Sequence, residues 1–314
     1  MIIGHRQIVD FFEKAAAGDR LGHAYGFVGV SGLGKRFIAD NISAKLLKTE
    51  LHKLAVHPDY ILVERSEDEK TGKLKKNITI EQARDLRSRL QTTSWSGGKR
   101  VVVIDGAEYF NEESGNALLK MIEEPPQGAI FFLIVRNENA LLQTIRSRLQ
   151  IFYFSCVAQS QVEKGLISMG VEAEAAKVAS RRSLGRPGLA VKLLRGESSD
   201  EYLERFETFT KIPGAAFYKK LELVEHYYGD KDDGERGREV WQSILDSWMA
   251  WSRDLLFKKY GLSGFASEPN ISAAVNFTDL ELVKIIDSFS SVKKILRESA
   301  HPRLAVEEAL LKIR

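Results

Sequence analysis

The sequence predicts an α/β fold over residues 1–155, a parallel sheet with helices on both faces, then a small helical segment at 156–198 and an all-helical region at 199–314. Three observations carry this reading. Short apolar, β-branched runs alternate with stretches of helical period in the first half, the pattern of a doubly wound sheet. The glycine-rich stretch Gly29-Val-Ser-Gly-Leu-Gly-Lys35 falls between one such run and a helical pattern. After Ala158 no strand-like run occurs, and apolar residues recur at helix spacing instead.

In chain order, Ile3 to Ala17 reads as an amphipathic helix carrying Val9, Phe11, Phe12 and Ala15, ended by Gly18 and Gly22. His23 to Val28 is the first strand, and Phe37, Ile38, Ile42, Leu46 and Leu47 mark the helix behind the glycine-rich stretch. His57-Pro58 leads into a second strand, Tyr60 to Val63. Ser66 to Lys76 is a polar loop or hairpin tip, whose Lys70, Lys73, Lys75 and Lys76 are either solvated or turned to an acidic surface. Thr79-Ile-Glu-Gln82 has the spacing of a capping box, in which Thr79 accepts the N–H of Gln82 and the Gln82 side chain answers. The helix it opens puts Ala83, Leu86 and Leu90 on one side and Arg84, Arg87 and Arg89 elsewhere.

Val101 to Asp105 is a buried strand ending in an acid. Asn111 caps a helix through Leu118, Met121 and Ile122 that Pro125-Pro126 ends. The strand Ile130 to Val135, a short helical piece through Leu141, Leu142 and Ile145, and the strand Ile151 to Phe154 complete the sheet. Three short helices follow, the last two separated by Gly185-Arg-Pro-Gly188. Trp241, Ile244, Leu245, Trp248 and Leu255 form one long stripe, and Leu282, Ile285, Ile286, Phe289, Val292 and Leu296 another. Such stripes are a core or an oligomerisation face. Asp230 to Arg238, rich in charge and glycine, reads as a loop between helices.

Small residues after a strand let backbone N–H groups turn around a phosphate; the helix start adds its positive end, and Lys35 can reach the terminal phosphates. The stretch is therefore a nucleotide site built on Gly29, Gly32, Gly34 and Lys35, or a tight glycine-rich turn. A loop that works with Mg²⁺ has Ser or Thr after the lysine; here Arg36 follows, a cation with no acceptor. The residues after Asp105 are Gly106 and Ala107, and an acid able to orient water comes only at Glu108. Both departures point to a nucleotide fold without its own hydrolytic centre.

Composition excludes several classes. With 44% hydrophobic and 28% charged residues the chain is globular, and a formal charge of +3 is too small to argue for nucleic acid as a direct ligand. The single cysteine, Cys156, excludes an intrachain disulfide and a cysteine-built zinc site, and reads as a core or boundary residue. The start Met-Ile-Ile-Gly-His-Arg lacks the apolar core of a signal peptide, and no long apolar run offers a membrane span, so a cytoplasmic location is expected.

Several local motifs then arrive together: Gly4-His-Arg6, His23-Ala-Tyr25, His57-Pro-Asp59, Ile80-Glu-Gln-Ala-Arg84, Asn116-Ala-Leu-Leu-Lys120 with Glu123-Glu-Pro-Pro126, and Ile145-Arg-Ser-Arg148. On these residues the chain resembles the delta-prime family of bacterial DNA polymerase III clamp-loader subunits, strongly to about residue 195 and weakly beyond. The resemblance implies a Rossmann-like AAA+ core at 1–155, a helical lid at 156–198 and a helical collar for oligomerisation at 199–314. It implies a ring with the clamp-loader ATPase (gamma/tau) and delta subunits that places the sliding clamp on primed DNA. It further implies that Arg148 is an arginine finger offered in trans to a neighbour's ATP, that ATP or ADP is held without hydrolysis, and that Arg186 contacts a phosphate or faces solvent. Leu149 stands where the family has cysteine, with an expected effect on packing only. Leu46 to Pro58 lacks the cysteines of zinc-binding relatives, so no zinc is expected.

Two other readings compete. An autonomous AAA+ ATPase of another DNA-processing assembly would need substitutes for the missing hydroxyl and acid, with Glu108 or Glu123 as base. A DNA-binding module would use Arg84, Arg87, Arg89, Lys99 and Arg100, and its affinity would fall steeply with salt.

Overall fold

The computed structural model describes residues 1–68, 72, 74–92, 94–95, 98–196, 199–212, 215–228, 234–263, 266–267, 277–297 and 302–313. Five strands, β1 (Ala24–Val28), β2 (Tyr60–Val63), β3 (Arg100–Asp105), β4 (Ala129–Val135) and β5 (Gln150–Tyr153), form one sheet of order β2-β3-β4-β1-β5. Every pairing is parallel. The helices between them are α1 (Arg6–Ala17), α2 (Lys35–Leu46), α3 (Ile80–Gln91), α4 (Glu112–Glu123) and the single turn α5 (Gln143–Arg146).

Alternation along the strands sorts the side chains into two cores. Val102, Ile104, Phe131 and Leu133 face one side with Leu86 and Leu90 of α3 and Leu118 and Ile122 of α4. Val101, Val103, Ile130 and Phe132 face the other with Phe12 of α1 and Ile38 and Ile42 of α2. Phe12 sits edge-on to Tyr25, Phe27 and Phe132, with ring centroids 4.7 to 5.8 Å apart.

The expected caps form. Thr79 and Gln82 make a reciprocal capping box at α3, and Asn111 Oδ1 accepts the Ser114 N–H at 2.9 Å at α4. The first helix is shorter than its apolar pattern, because His5 takes a left-handed conformation (φ 54°) and α1 starts at Arg6. Cys156 is exposed rather than part of the core: β5 is an edge strand that ends at Tyr153, and the chain has left the sheet by residue 156. Lys70 and Lys73 lie outside the described residues.

The helical part continues with α6 (Gln159–Ser168), α7 (Ala173–Arg182), α8 (Pro187–Leu194), α9 (Ser199–Lys211), α10 (Phe217–Tyr228), α11 (Gly234–Lys259), α12 (Asp279–Arg297) and α13 (Pro302–Leu311). The charged loop expected up to Arg238 is shorter than that, since α11 begins at Gly234; residues 229–233 lie outside the described set. Two compact units result. One holds Met1–Ala176 and Gly185–Ala190; the other holds Lys177–Leu184 and Val191–Arg314.

Within the second unit Trp241, Trp248 and Trp251 of α11 are fully buried with Ile285, Phe289 and Val292 of α12. The indole N–H of Trp248 donates to the Arg205 carbonyl at 3.2 Å and that of Trp251 to Tyr202 Oη at 3.0 Å, tying α11 to α9. Among the described residues no helix is long and apolar enough to cross a membrane.

Candidate functional site

In open parallel sheets ligands bind beyond the carboxyl ends of the strands, where the strand order reverses. β1 lies between β4 and β5, and the glycine-rich stretch leaves its carboxyl end, with the Gly29 N–H held by the Val135 carbonyl at 3.2 Å. Gly32 (φ 84°) and Gly34 (φ 87°) take left-handed turns that side chains resist, which brings the chain into α2. No side chain caps α2, so its first-turn N–H groups are left for an anion. The buried Lys35 crosses the loop, and its ammonium donates to the Gly29 carbonyl and, at 2.9 Å, to the Val30 carbonyl. Three donors and two carbonyls leave one N–H for a phosphate oxygen. Burial pushes the Lys35 amine down to about 8, opposed by the nearby Glu108 and Asp105 and reinforced by Arg136.

The lysine's surroundings are charged as well as buried. Glu108 Oε1 lies 3.9 Å from Arg136 Nε, and burial raises the Glu108 carboxyl above its ordinary range. Arg136, the first residue beyond β4, was not singled out by sequence; the signal was a cation directly after an apolar strand adjoining β1. His5, in the Gly-His-Arg motif, packs its ring 4.6 Å from that of Phe154 beside the loop, and burial lowers its basicity.

The first turn of α8 rests on the same loop. The Gly188 N–H donates to the Gly32 carbonyl at 2.8 Å. A Cβ at Gly188 would lie 3.0 Å from that oxygen, and one at Gly32 would meet Leu189 at 3.3 Å and Arg186 Cβ at 3.5 Å. Arg186 is thereby buried beside Gly32 rather than spread into solvent.

Arg36, the sequence anomaly, is the centre of a network. Its Nε donates to both Asp40 oxygens at 2.9 and 3.0 Å, and its Nη2 to Tyr60 Oη at 3.3 Å. Its Nη1 stands 3.5 Å from Asp105 Oδ2 and 3.5 Å from Glu64 Oε2. Tyr60 Oη in turn donates to Asp40 Oδ1 at 2.7 Å. A Mg²⁺ on such a loop would need a hydroxyl after the lysine together with the strand-end carboxylate. Here the guanidinium is bound to that carboxylate and no hydroxyl follows the lysine, so the donor set does not fit the metal. Among the described residues no group of three or more His, Cys, Asp or Glu converges as metal ligands.

Arg148 lies at the opposite end of the sheet. Gln150 pairs with Tyr25 at the start of β1, whereas the loop begins after Val28. At about 3.3 Å per residue, Arg148 and the loop are roughly 15–20 Å apart, beyond the reach of one side chain. Its guanidinium pairs with Glu123 and donates to the Thr144 carbonyl at 2.9 Å, with 40% of the side chain exposed. Leu149 packs against the sheet core next to Gly26. Arg100 is no surface cation for DNA: it is buried with Asp59 of the His-Pro-Asp motif, Nε to Oδ1 3.4 Å, and donates to the Arg89 carbonyl at 2.7 Å. Arg84, Arg87 and Arg89 are exposed.

Sheet order, the glycine-rich loop after β1 and the helical turn docked on it define an AAA+-like core. Residues 4–158 match the family described as DNA polymerase III, delta subunit. The chain is 36% identical to the DNA polymerase III subunit delta-prime of Pseudomonas aeruginosa over 140 residues, covering 40% of this chain and 41% of that one. It is 28% identical to the delta-prime subunit of Escherichia coli over 180 residues, 56% of this chain and 52% of that one. A match to the DNA polymerase III subunit tau of Bacillus subtilis, 26% identical, covers 99% of this chain and 60% of that one. The matched part spans about half or less of the length of the two delta-prime relatives. Over residues 4–158, just under half of its length, the chain is similar to the clamp-loader-related DNA polymerase III delta-prime proteins.

Proposed function

We propose that the chain is a delta-prime-type clamp-loader subunit that completes a neighbouring subunit's ATP site in trans and so supports loading of the sliding clamp on primed DNA. Residues 1–155 act as the core, 156–198 as the lid and 199–314 as the collar. The ring neighbours are the gamma/tau-type ATPase and delta subunits. The observation that carries the reading is the separation of Arg148 from the chain's own loop: an exposed cation at the strand-start end of the sheet is out of reach of that loop, as a finger offered to another subunit's phosphate has to be. A cation at the terminal phosphate offsets the charge developing there, and arginine fingers contribute about 10³–10⁵ in rate. Glu123 and the Thr144 carbonyl hold the guanidinium in a defined direction.

The chain's own loop supports nucleotide binding without turnover. Gly29, Gly32, Gly34 and Lys35 form the cradle with Arg186 beside it, and ATP or ADP is the ligand of matching chemistry. Arg36 argues against hydrolysis there, as does the absence of an acid directly after Asp105.

The test is DNA- and clamp-stimulated ATP turnover in an assembly of the cognate loader subunits, with this chain intact or as Arg148→Ala. Equal assembly with a large loss of turnover is the expected result. Unchanged turnover in an intact ring would refute the trans role.

A further inference from the structure

The network around Arg36 says more than that magnesium is disfavoured. Asp40 comes from the second turn of α2, Tyr60 from the start of β2, Glu64 from just beyond its end, and Asp105 from the end of β3, and all four converge on one guanidinium. Three carboxylates gathered at the mouth of a phosphate loop would repel a polyphosphate on their own. Arg36 offsets part of that charge and brings a fixed cation to the side of the loop on which a phosphate-bound metal would face Asp105. Lys35 meanwhile retains an unused donor. The cradle is thus intact while the metal's place is taken by the side chain that follows it.

We infer that this loop binds nucleoside di- or triphosphate free of divalent metal, with Arg36 serving as the resident counter-charge. Metal-bound nucleotide is the poorer ligand, since a hydrated dication on its phosphates would be brought against a guanidinium that it cannot displace without breaking the bonds to Asp40. The inference rests on the reading of the loop as a nucleotide site and is independent of the role given to Arg148.

The full chain is titrated with ribose-labelled fluorescent ADP, and with unlabelled ATP as competitor, once in excess Mg²⁺ and once in EDTA. The intact protein is expected to bind more tightly in EDTA than in excess Mg²⁺, and equal affinity would overturn the inference. Arg36→Ser restores a hydroxyl beside Asp105 and is expected to reverse the order, losing about tenfold or more in affinity when the metal is chelated. Arg36→Lys keeps the cation without its planar fork, and is expected to bind more weakly but still without metal. Circular dichroism establishes that each variant is folded. Binding of the intact chain that requires Mg²⁺ would overturn the inference, and so would no binding under either condition; the loader-turnover test of Arg148 would stand in both cases. Metal-independent binding that persists in Arg36→Ser would remove Arg36 as its cause and overturn the inference equally.

Discussion

The Gly188 N–H donates to the Gly32 carbonyl at 2.8 Å, so the turn that opens α8 is bonded directly to the glycine-rich loop. The two glycines meet closely enough that a side chain on either would be crowded: a Cβ on Gly188 would stand 3.0 Å from the Gly32 oxygen and 3.4 Å from its carbonyl carbon. Loop and turn therefore move together or separate.

Gly188→Ala tests this contact. Its backbone lacks the positive φ of Gly32, so the substitution adds a methyl group without backbone strain. Overpacking of this kind costs about 1–3 kcal/mol. The expected result is a lower first unfolding midpoint in urea together with weaker binding of labelled ADP. Unchanged values for both would mean that the turn yields at no cost and does not brace the loop.

Lys35 gives a pH dependence. Its amine is held at about 8 in the folded chain against an ordinary 10.5, so between these values the unfolded chain binds more protons. Stability from this group accordingly rises with pH through that window, and the cost of burying the charge is present in full below it. Nucleotide binding runs the other way. A phosphate needs the ammonium, so affinity falls by about tenfold per pH unit above 8. Titration of labelled ADP between pH 7 and 10 checks this. Lys35→Arg, charged throughout, is expected to flatten the fall, and an equal slope in both proteins would remove Lys35 as its source.

Two arginine–carboxylate pairs are expected to differ sharply in stability. Arg100 and Asp59 are 7% and 1% exposed, and removing one charge strands the other; Asp59→Ala is expected to cost about 3–5 kcal/mol. Arg148 and Glu123 are 40% and 38% exposed, and Arg148→Ala is expected to cost no more than about 1 kcal/mol. Urea denaturation of both variants makes the comparison. A folding defect in Arg148→Ala of the size expected for Asp59→Ala would transfer its loss in loader turnover from chemistry to structure.

What the sequence disclosed was local or periodic. The capping box at Thr79, the Asn111 cap and the tryptophan stripe of α11 each lie within one element, and each formed. The strand–loop–helix arrangement around the glycine-rich stretch was legible because strand, glycines, lysine and helix are contiguous. Arg36 was legible as an anomaly but not as a network: Asp105 is 69 residues away and reaches it only through the sheet register that sets β3 beside β2. Arg100 looked like one basic residue among several, because nothing local marks Asp59 as its partner. The meeting of Gly32 with Gly188 was hidden for the same reason. The charged run before α11 misled by composition, since a glycine and several charges at the start of a helix resemble a loop when tertiary packing is unknown.

The helical unit offers the last test. Trp248 is fully buried, with ring centroids 5.5 Å from Phe289 of α12 and 5.9 Å from Trp241, and its N–H holds the Arg205 carbonyl of α9. Its loss opens a cavity and orphans a carbonyl at once, for about 3–5 kcal/mol in Trp248→Ala. Trp248→Phe keeps most of the apolar surface and loses only the donor and part of the volume, so about 1–3 kcal/mol is expected. Domains usually have total stabilities of about 5–15 kcal/mol, which makes the first change sufficient to bring a helical unit near its unfolding midpoint. Urea denaturation followed by far-ultraviolet circular dichroism reads the helical loss, and labelled-ADP binding reads the loop in the same samples. The expected outcome is a helical transition at lower urea in Trp248→Ala, an intermediate shift in Trp248→Phe, and nucleotide affinity in dilute buffer unchanged in both. Equal shifts in the two variants would assign the stabilisation to the indole N–H rather than to packing.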